Sequence, residues 1–125
     1  MAPKTLDSIV PILPIKNLQL AMNFYRRLGL SAHAWQNGDS YGFLTRDGLE
    51  IHLRQFNVLI ESQNPCGVYF YLADNSAAAL EAEFLGAGVS LSERLAKREW
   101  NMNEFALRDP DGNQLVFGEG IQPTI

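Results

Sequence analysis

Glu50, His52 and Arg54 alternate with Leu49, Ile51 and Leu53 along one stretch of the chain. In a β-strand that spacing puts three ionisable side chains on one face and three aliphatic ones on the other. A carboxylate and an imidazole sharing a strand face can move protons or meet a cationic ligand, although a single strand histidine can equally be structural, hydrogen-bonded to a neighbour. Glu104 supplies a second carboxylate in another strand-like stretch, and with Glu50 it could make an acid–base pair; strand carboxylates more commonly face water. Trp35, Tyr41 and Trp100 add flat rings on which a planar ligand could stack. Trp100 stands out, because it lies in the polar run Lys97-Arg98-Glu99-Trp100-Asn101, where no core periodicity claims it. Asp39, in the turn Asn37-Gly38-Asp39, is a further candidate anion.

Other chemistries find little support in the residue pattern. Cys66 is the only cysteine, so no internal disulfide can form and a reducing, cytoplasmic setting is expected. No histidine stands at a telling spacing from Cys66, and neither Ser40 nor Ser92 lies in a nucleophile elbow. Gly86-Ala87-Gly88 follows a helical pattern instead of opening one, which makes it a helix stop and not a dinucleotide loop.

The elements that must position these groups come in two similar sets. Phe43-Leu44-Thr45-Arg46-Asp47-Gly48-Leu49-Glu50-Ile51-His52-Leu53 is echoed by Phe105-Ala106-Leu107-Arg108-Asp109-Pro110-Asp111-Gly112-Asn113-Gln114-Leu115-Val116-Phe117. Each copy reads as strand, turn, strand, and each follows a helical pattern that ends in glycine. A repeat of this kind sets the architecture before any single residue is interpreted. The expected fold is α+β: tandem βαβββ modules, about residues 7–57 and 66–120, forming curved mixed sheets within one domain spanning 1–125. Neither half is long enough to bury a stable core alone.

Within the first module, a strand is expected over Ser8–Ile15, with Pro11 and Pro14 holding it to an edge or bend. Asn17 then caps a helix whose Leu18, Ala21, Met22, Tyr25 and Leu28 share one face, stopped by Gly29. In the second module Asp74 or Asn75 is expected to cap a helix carrying Ala77, Leu80 and Phe84 on one face. Strand parity turns Tyr69 and Tyr71 toward the helices and Phe70 toward the interior of the curved sheet. A concave surface with a few polar groups among apolar walls is the usual form of a small-molecule site.

Composition narrows the partners. With 46% hydrophobic and 19% charged residues, the chain has the balance of an ordinary globular protein, with no apolar run that could span a bilayer and no secretory signal at its start. The net charge of −4 is uneven: residues 1–62 carry 6 Lys+Arg against 5 Asp+Glu, and residues 63–125 carry 4 against 9. Nucleic acid is set aside, since the basic residues form only the tight pairs Arg26-Arg27 and Lys97-Arg98. An acidic second half instead favours cationic ligands.

The tandem modules, the segment Asn23-Phe24-Tyr25-Arg26-Arg27-Leu28-Gly29-Leu30 and the terminal Glu104-Phe105-Ala106-Leu107-Arg108-Asp109-Pro110-Asp111-Gly112-Asn113 together resemble the vicinal oxygen chelate superfamily. That superfamily includes glyoxalase I, extradiol dioxygenases, fosfomycin-modifying enzymes and bleomycin resistance proteins. Val10-Pro11-Ile12-Leu13 and the placing of Trp100 bring the bleomycin-binding members closest. The enzymes hold a divalent metal at four sheet positions, which fall here on Val10, His52, Val68 and Val116. Valine donates no electron pair, so the resemblance implies no metal, no cofactor and no catalytic residue. It implies instead a non-catalytic protein that sequesters a planar, cationic antibiotic in a groove between two copies of the chain. Trp35, Tyr41 and Trp100 would stack on the drug, Asp39, Glu50 and Glu104 would meet its positive tail, and His52 would contact it. A homodimer follows, with Pro11 where the first strand crosses to the partner. The alternatives are an enzyme acting on a small oxygenated metabolite and a small-molecule sensor.

Overall fold

The computed structural model describes residues 2–121. The first module runs β1 (Ile12–Ile15), α1 (Leu18–Arg27), β2 (Ser31–Ala34), β3 (Tyr41–Arg46) and β4 (Leu49–Gln55). The second repeats it as β5 (Gly67–Tyr71), α2 (Ala77–Gly86), β6 (Glu93–Lys97), β7 (Met102–Arg108) and β8 (Gln114–Gly120). Two four-stranded mixed sheets result, ordered β1-β4-β3-β2 and β5-β8-β7-β6. In each, the first strand of the module lies parallel to the last and the other pairings are antiparallel.

The first strand is shorter than Ser8–Ile15. It starts at Ile12: Pro11 has no N–H to give a ladder and joins β4 only through its carbonyl, which accepts the His52 N–H at 2.9 Å, and residues 2–9 are exposed. Helix α1 follows its expected periodicity, burying Leu18, Ala21, Met22 and Tyr25. The Asn17 side chain accepts from the Leu20 N–H at 3.0 Å, as a cap does. Helix α2 has no such local cap. Neither Asp74 nor Asn75 occupies the capping position; Glu119 on β8 reaches it from across the module, accepting the N–H groups of Ser76 and Ala77 at 2.7 Å each. A carboxylate at a helix N-terminus satisfies free donors and opposes the helix dipole.

One apolar core spans both modules, joining Leu13, Ile15, Tyr25, Leu44 and Leu53 of the first to Phe84, Phe105, Leu107, Leu115 and Phe117 of the second. A polar hub in the β7–β8 turn fastens the modules together. Asp109 Oδ2 accepts the Tyr25 hydroxyl at 2.5 Å and an Asn113 amide hydrogen at 2.8 Å, while its Oδ1 accepts the N–H groups of Asp111 and Asn113 at 2.9 Å. Asn113 also donates to the Pro14 carbonyl at 2.8 Å, and Asp111 accepts the Lys16 N–H at 2.9 Å. Asn64, from the linker, donates to the Asp111 carbonyl and to Asn113 Oδ1. Gly112 completes the turn at φ +84° with its backbone against Glu61, where a side chain would collide.

Burial and the charge of Asp109 raise both Tyr25 and Asp111 at this hub. Burial first, then the Asp109 charge, push the Tyr25 phenol well above its ordinary range. The Asp111 carboxyl is also raised, chiefly by burial, against the lowering effect of the Lys16 N–H.

Candidate functional site

Each sheet has one face turned to the shared core and one left open. In the first sheet the register aligns Phe43 with His52, Tyr41 with Arg54 and Thr45 with Glu50 on the open face. The Tyr41 hydroxyl lies 2.7 Å from His52 Nδ1, and His52 Nε2 bonds the Glu50 carboxylate. A carboxylate only accepts, so in the neutral ring Nε2 carries the hydrogen and Nδ1 accepts from Tyr41. Phe43 packs against both Tyr41 and His52, at centroid distances of 5.7 and 4.9 Å, and fixes their orientation. His33 joins from β2, 5.2 Å from Phe43.

Trp35 and Asp39 occupy the β2–β3 connection. Trp35 opens a single 3-10 turn in which Gln36 and Asn37 take positive φ, and its ring is half exposed. Asp39 is exposed in the same loop. Neither belongs to the hydrogen-bonded chain of Tyr41, His52 and Glu50.

The open face of the second sheet is arranged around Glu104. This residue is only 5% exposed, yet among the described residues it has no ion-pair partner. Its Oε2 accepts the Trp100 indole N–H at 2.7 Å and the Tyr69 hydroxyl. Burial, followed by the Glu104 hydrogen bond and charge, raises the Tyr69 phenol, so it stays protonated and donates. Trp100 sits in the β6–β7 turn beside Asn101, which takes φ +65°, and it remains 58% exposed while anchored by its N–H. Arg98, six residues before Glu104, is paired with Glu93 at 3.0 Å and donates to the Glu104 backbone carbonyl at 3.5 Å, not to its carboxylate.

Tyr69 departs from the expected parity, which turns it toward the helices. The structure turns Val68 and Phe70 into the core, with Phe70 stacked on Phe117 at 4.6 Å, and leaves Tyr69 and Tyr71 on the open face. The signal was available: Val68, Phe70 and Leu72 form the more apolar alternating set, and a buried tyrosine hydroxyl needs a partner. Gly118 on β8 makes room for the ring, since a Cβ there would strike the Tyr69 hydroxyl.

The same register revises the family's metal positions. Tyr69, not Val68, stands beside Val116 on the open face. The donors at those positions are then His52 on one sheet and a hydrogen-bonded phenol on the other. Among the described residues no group of three or more His, Cys, Asp or Glu side chains stands close enough to hold a metal. This residue set does not fit a divalent ion, which needs at least three protein ligands. Glu50 and Glu104 lie on different sheets, Glu50 bonded to His52 and Glu104 to Trp100 and Tyr69. Among the described residues no helix is long and apolar enough to cross a membrane.

Comparison with solved structures finds the same architecture in proteins of low sequence identity. A bleomycin-binding protein complexed with bleomycin superposes with a TM-score of 0.80 at 20% identity, covering 92% of this chain and 99% of that one. A bleomycin resistance determinant encoded on the transposon Tn5 gives 0.81 at 20% identity, covering 92% and 98%. The bleomycin-binding protein of Streptomyces verticillus, complexed with copper(II)-bleomycin, gives 0.77 at 21% identity, covering 94% and 99%. No curated protein matches the chain in sequence. Residues 5–117 match the family model described as Glyoxalase/Bleomycin resistance protein/Dioxygenase superfamily.

Proposed function

We propose that this chain, which belongs to the Glyoxalase/Bleomycin resistance protein/Dioxygenase superfamily, is a non-catalytic binding protein that sequesters a planar, cationic antibiotic of the bleomycin type. The observation that carries the reading is Glu104. A carboxylate buried without a cation costs stability, and the cost is offset when a ligand brings the missing positive charge. Trp100 and Tyr69 hold that carboxylate in place and offer ring faces beside it.

Two copies of the chain would complete the groove, the open face of module one in one copy meeting that of module two in the other. Trp35, Tyr41 and His52 then face Trp100 and Glu104 across the ligand, with Asp39 and Glu50 adding negative charge. Nanomolar binding requires about −12 kcal/mol. Charge-assisted hydrogen bonds at about 1.5–3 kcal/mol each and aromatic contacts at roughly 0.5–1.5 kcal/mol each reach that sum when the site is preformed. The internal hydrogen bonds of both open faces supply such preorganisation.

The test is a titration with metal-free bleomycin, followed by tryptophan fluorescence and by calorimetry. Saturable submicromolar binding supports sequestration; no binding at about 100 μM, roughly −5.5 kcal/mol, rejects it. A second reading, an enzyme acting on an oxygenated metabolite, draws on the Tyr41–His52–Glu50 chain, which could pass a proton. Turnover lost on His52→Asn, with the fold intact, would favour that reading.

A further inference from the structure

We infer that a cleft between the two modules, lined by α2 and by core-facing residues of both sheets with Tyr71 beside them, is a separate binding site for a small, uncharged molecule of mainly apolar surface. The cleft measures about 490 Å³, within the roughly 300–1,000 Å³ of small-ligand sites. Leu28 and Ile51 of module one form one wall; Phe70, Leu80, Phe84 and Phe117 of module two form the other. This inference does not rest on the antibiotic reading.

The class of ligand follows from the polar groups at the rim, where the one lining cation, Arg46, is already shared between Glu83 and, at 3.6 Å, the exposed Asp47. Arg46 donates to both carboxylate oxygens of Glu83, at 2.7 and 3.0 Å, and to the Leu28 carbonyl at 2.7 Å. The Ser76 hydroxyl donates to the Ala73 carbonyl, and the Tyr25 hydroxyl is committed to Asp109. An anionic guest would lose its water without finding a free cation, and a cation would meet only Asp47, which is exposed to water and screened by it. An uncharged apolar guest gains van der Waals contacts in space that water fills poorly. Because the walls come from both modules, such a guest also bridges them beside the Arg46–Glu83 pair.

N-phenyl-1-naphthylamine and 8-anilinonaphthalene-1-sulfonate test this directly, since they share a ring system and differ in the sulfonate charge. The full chain is expected to bind the uncharged probe saturably, one per chain, and at least tenfold more tightly than the sulfonate. Ala79→Trp, which fills the cleft from an exposed position on α2, is expected to weaken that binding at least tenfold. Leu49→Lys, a charge placed at the exposed edge of the cleft, should do the same if Ala79→Trp perturbs the helix. Trp100→Ala should leave it unchanged. Equal or tighter binding of the sulfonate overturns the inference, as does probe binding lost with Trp100→Ala and kept with Ala79→Trp. Binding that emerges only after deletion of residues 2–9, whose exposed Leu6 and Ile9 could fill the cleft from a second copy, overturns it too. A bleomycin titration on the same protein reads the open faces independently, so either result can fail alone.

Discussion

The two copies of the Arg-Asp turn began with nearly the same residues and ended in opposite environments. In the first, Arg46-Asp47-Gly48 is a tight hairpin whose Asp47 side chain is 83% exposed, with Gly48 at φ +78° meeting nothing. In the second, Asp109, Asp111, Gly112 and Asn113 are buried around an exposed Pro110 and hold groups from α1, from the segment after β1 and from the linker. Two additional residues account for the change. They lengthen the turn so that Asp109 can close a ring of hydrogen bonds on its own backbone and still reach Tyr25. Repeated sequence therefore gives repeated local geometry, whereas tertiary role depends on what the turn is long enough to touch.

The comparison breaks most sharply at Asp109. Asp109→Ala strands the Tyr25 hydroxyl, two backbone N–H groups and an Asn113 amide hydrogen, and should cost about 3–5 kcal/mol in urea unfolding. Asp47→Ala, at the equivalent place in the other turn, should stay within about 0.5 kcal/mol. Equal effects would mean that the hub does not fasten the modules.

Tyr25 gives a pH signature to the same hub. Its folded pKa lies above the unfolded value, so its contribution is intact below about pH 10 and falls as the pH rises through the folded value. Tyr25→Phe should cost about 1–3 kcal/mol at pH 7 and flatten the decline of stability above pH 10.

Next in size is the contrast between the open faces. Trp100→Ala should weaken bleomycin at least tenfold, about 1.4 kcal/mol, with the melting temperature little changed, because the ring is exposed and only its N–H is engaged. An unfolded variant would place Trp100 among the structural residues instead.

The smallest effect is expected at Asp111. Its folded pKa is raised, so ionisation costs stability as the pH rises past about 4. Asp111→Asn keeps an acceptor for the Lys16 N–H and sheds the charge. Stability at pH 7 should be unchanged or higher by up to about 1 kcal/mol.

Much of the fold was legible because it is written in short-range pattern. The α1 periodicity, its Asn17 cap and the two Arg-Asp hairpins all appear where residue spacing puts them. What escaped depends on distant partners. The α2 cap comes from Glu119, 43 residues from Ser76, and no local motif announces it. Ser8 to Pro11 has the composition of a strand, but Pro11 can offer only its carbonyl, which accepts the His52 N–H at 2.9 Å, and the strand begins at Ile12. At the site, Tyr41, Glu50 and His52 share a strand face that parity predicts, and the structure joins them. Trp100 and Glu104 prove to be one unit, whereas Tyr69 was missed. Its direction is decided by competition with Phe70 for the core, and a polar tip resolved that contest in favour of the open face.

Parallel pairing of first and last strands carries a cost in time. Ile12 aligns with His52, and Gly67 with Gln114, so neither module can close until its final hairpin exists. Long-range pairings of this kind slow folding, since loop closure precedes any gain from contact. The hub that restrains Pro14, Lys16 and Tyr25 lies later still, in the β7–β8 turn. A growing chain thus presents its first module unfastened until Asp109 is made, and a chain stopped before Asp109 lacks β8, whose Leu115 and Phe117 belong to the shared core.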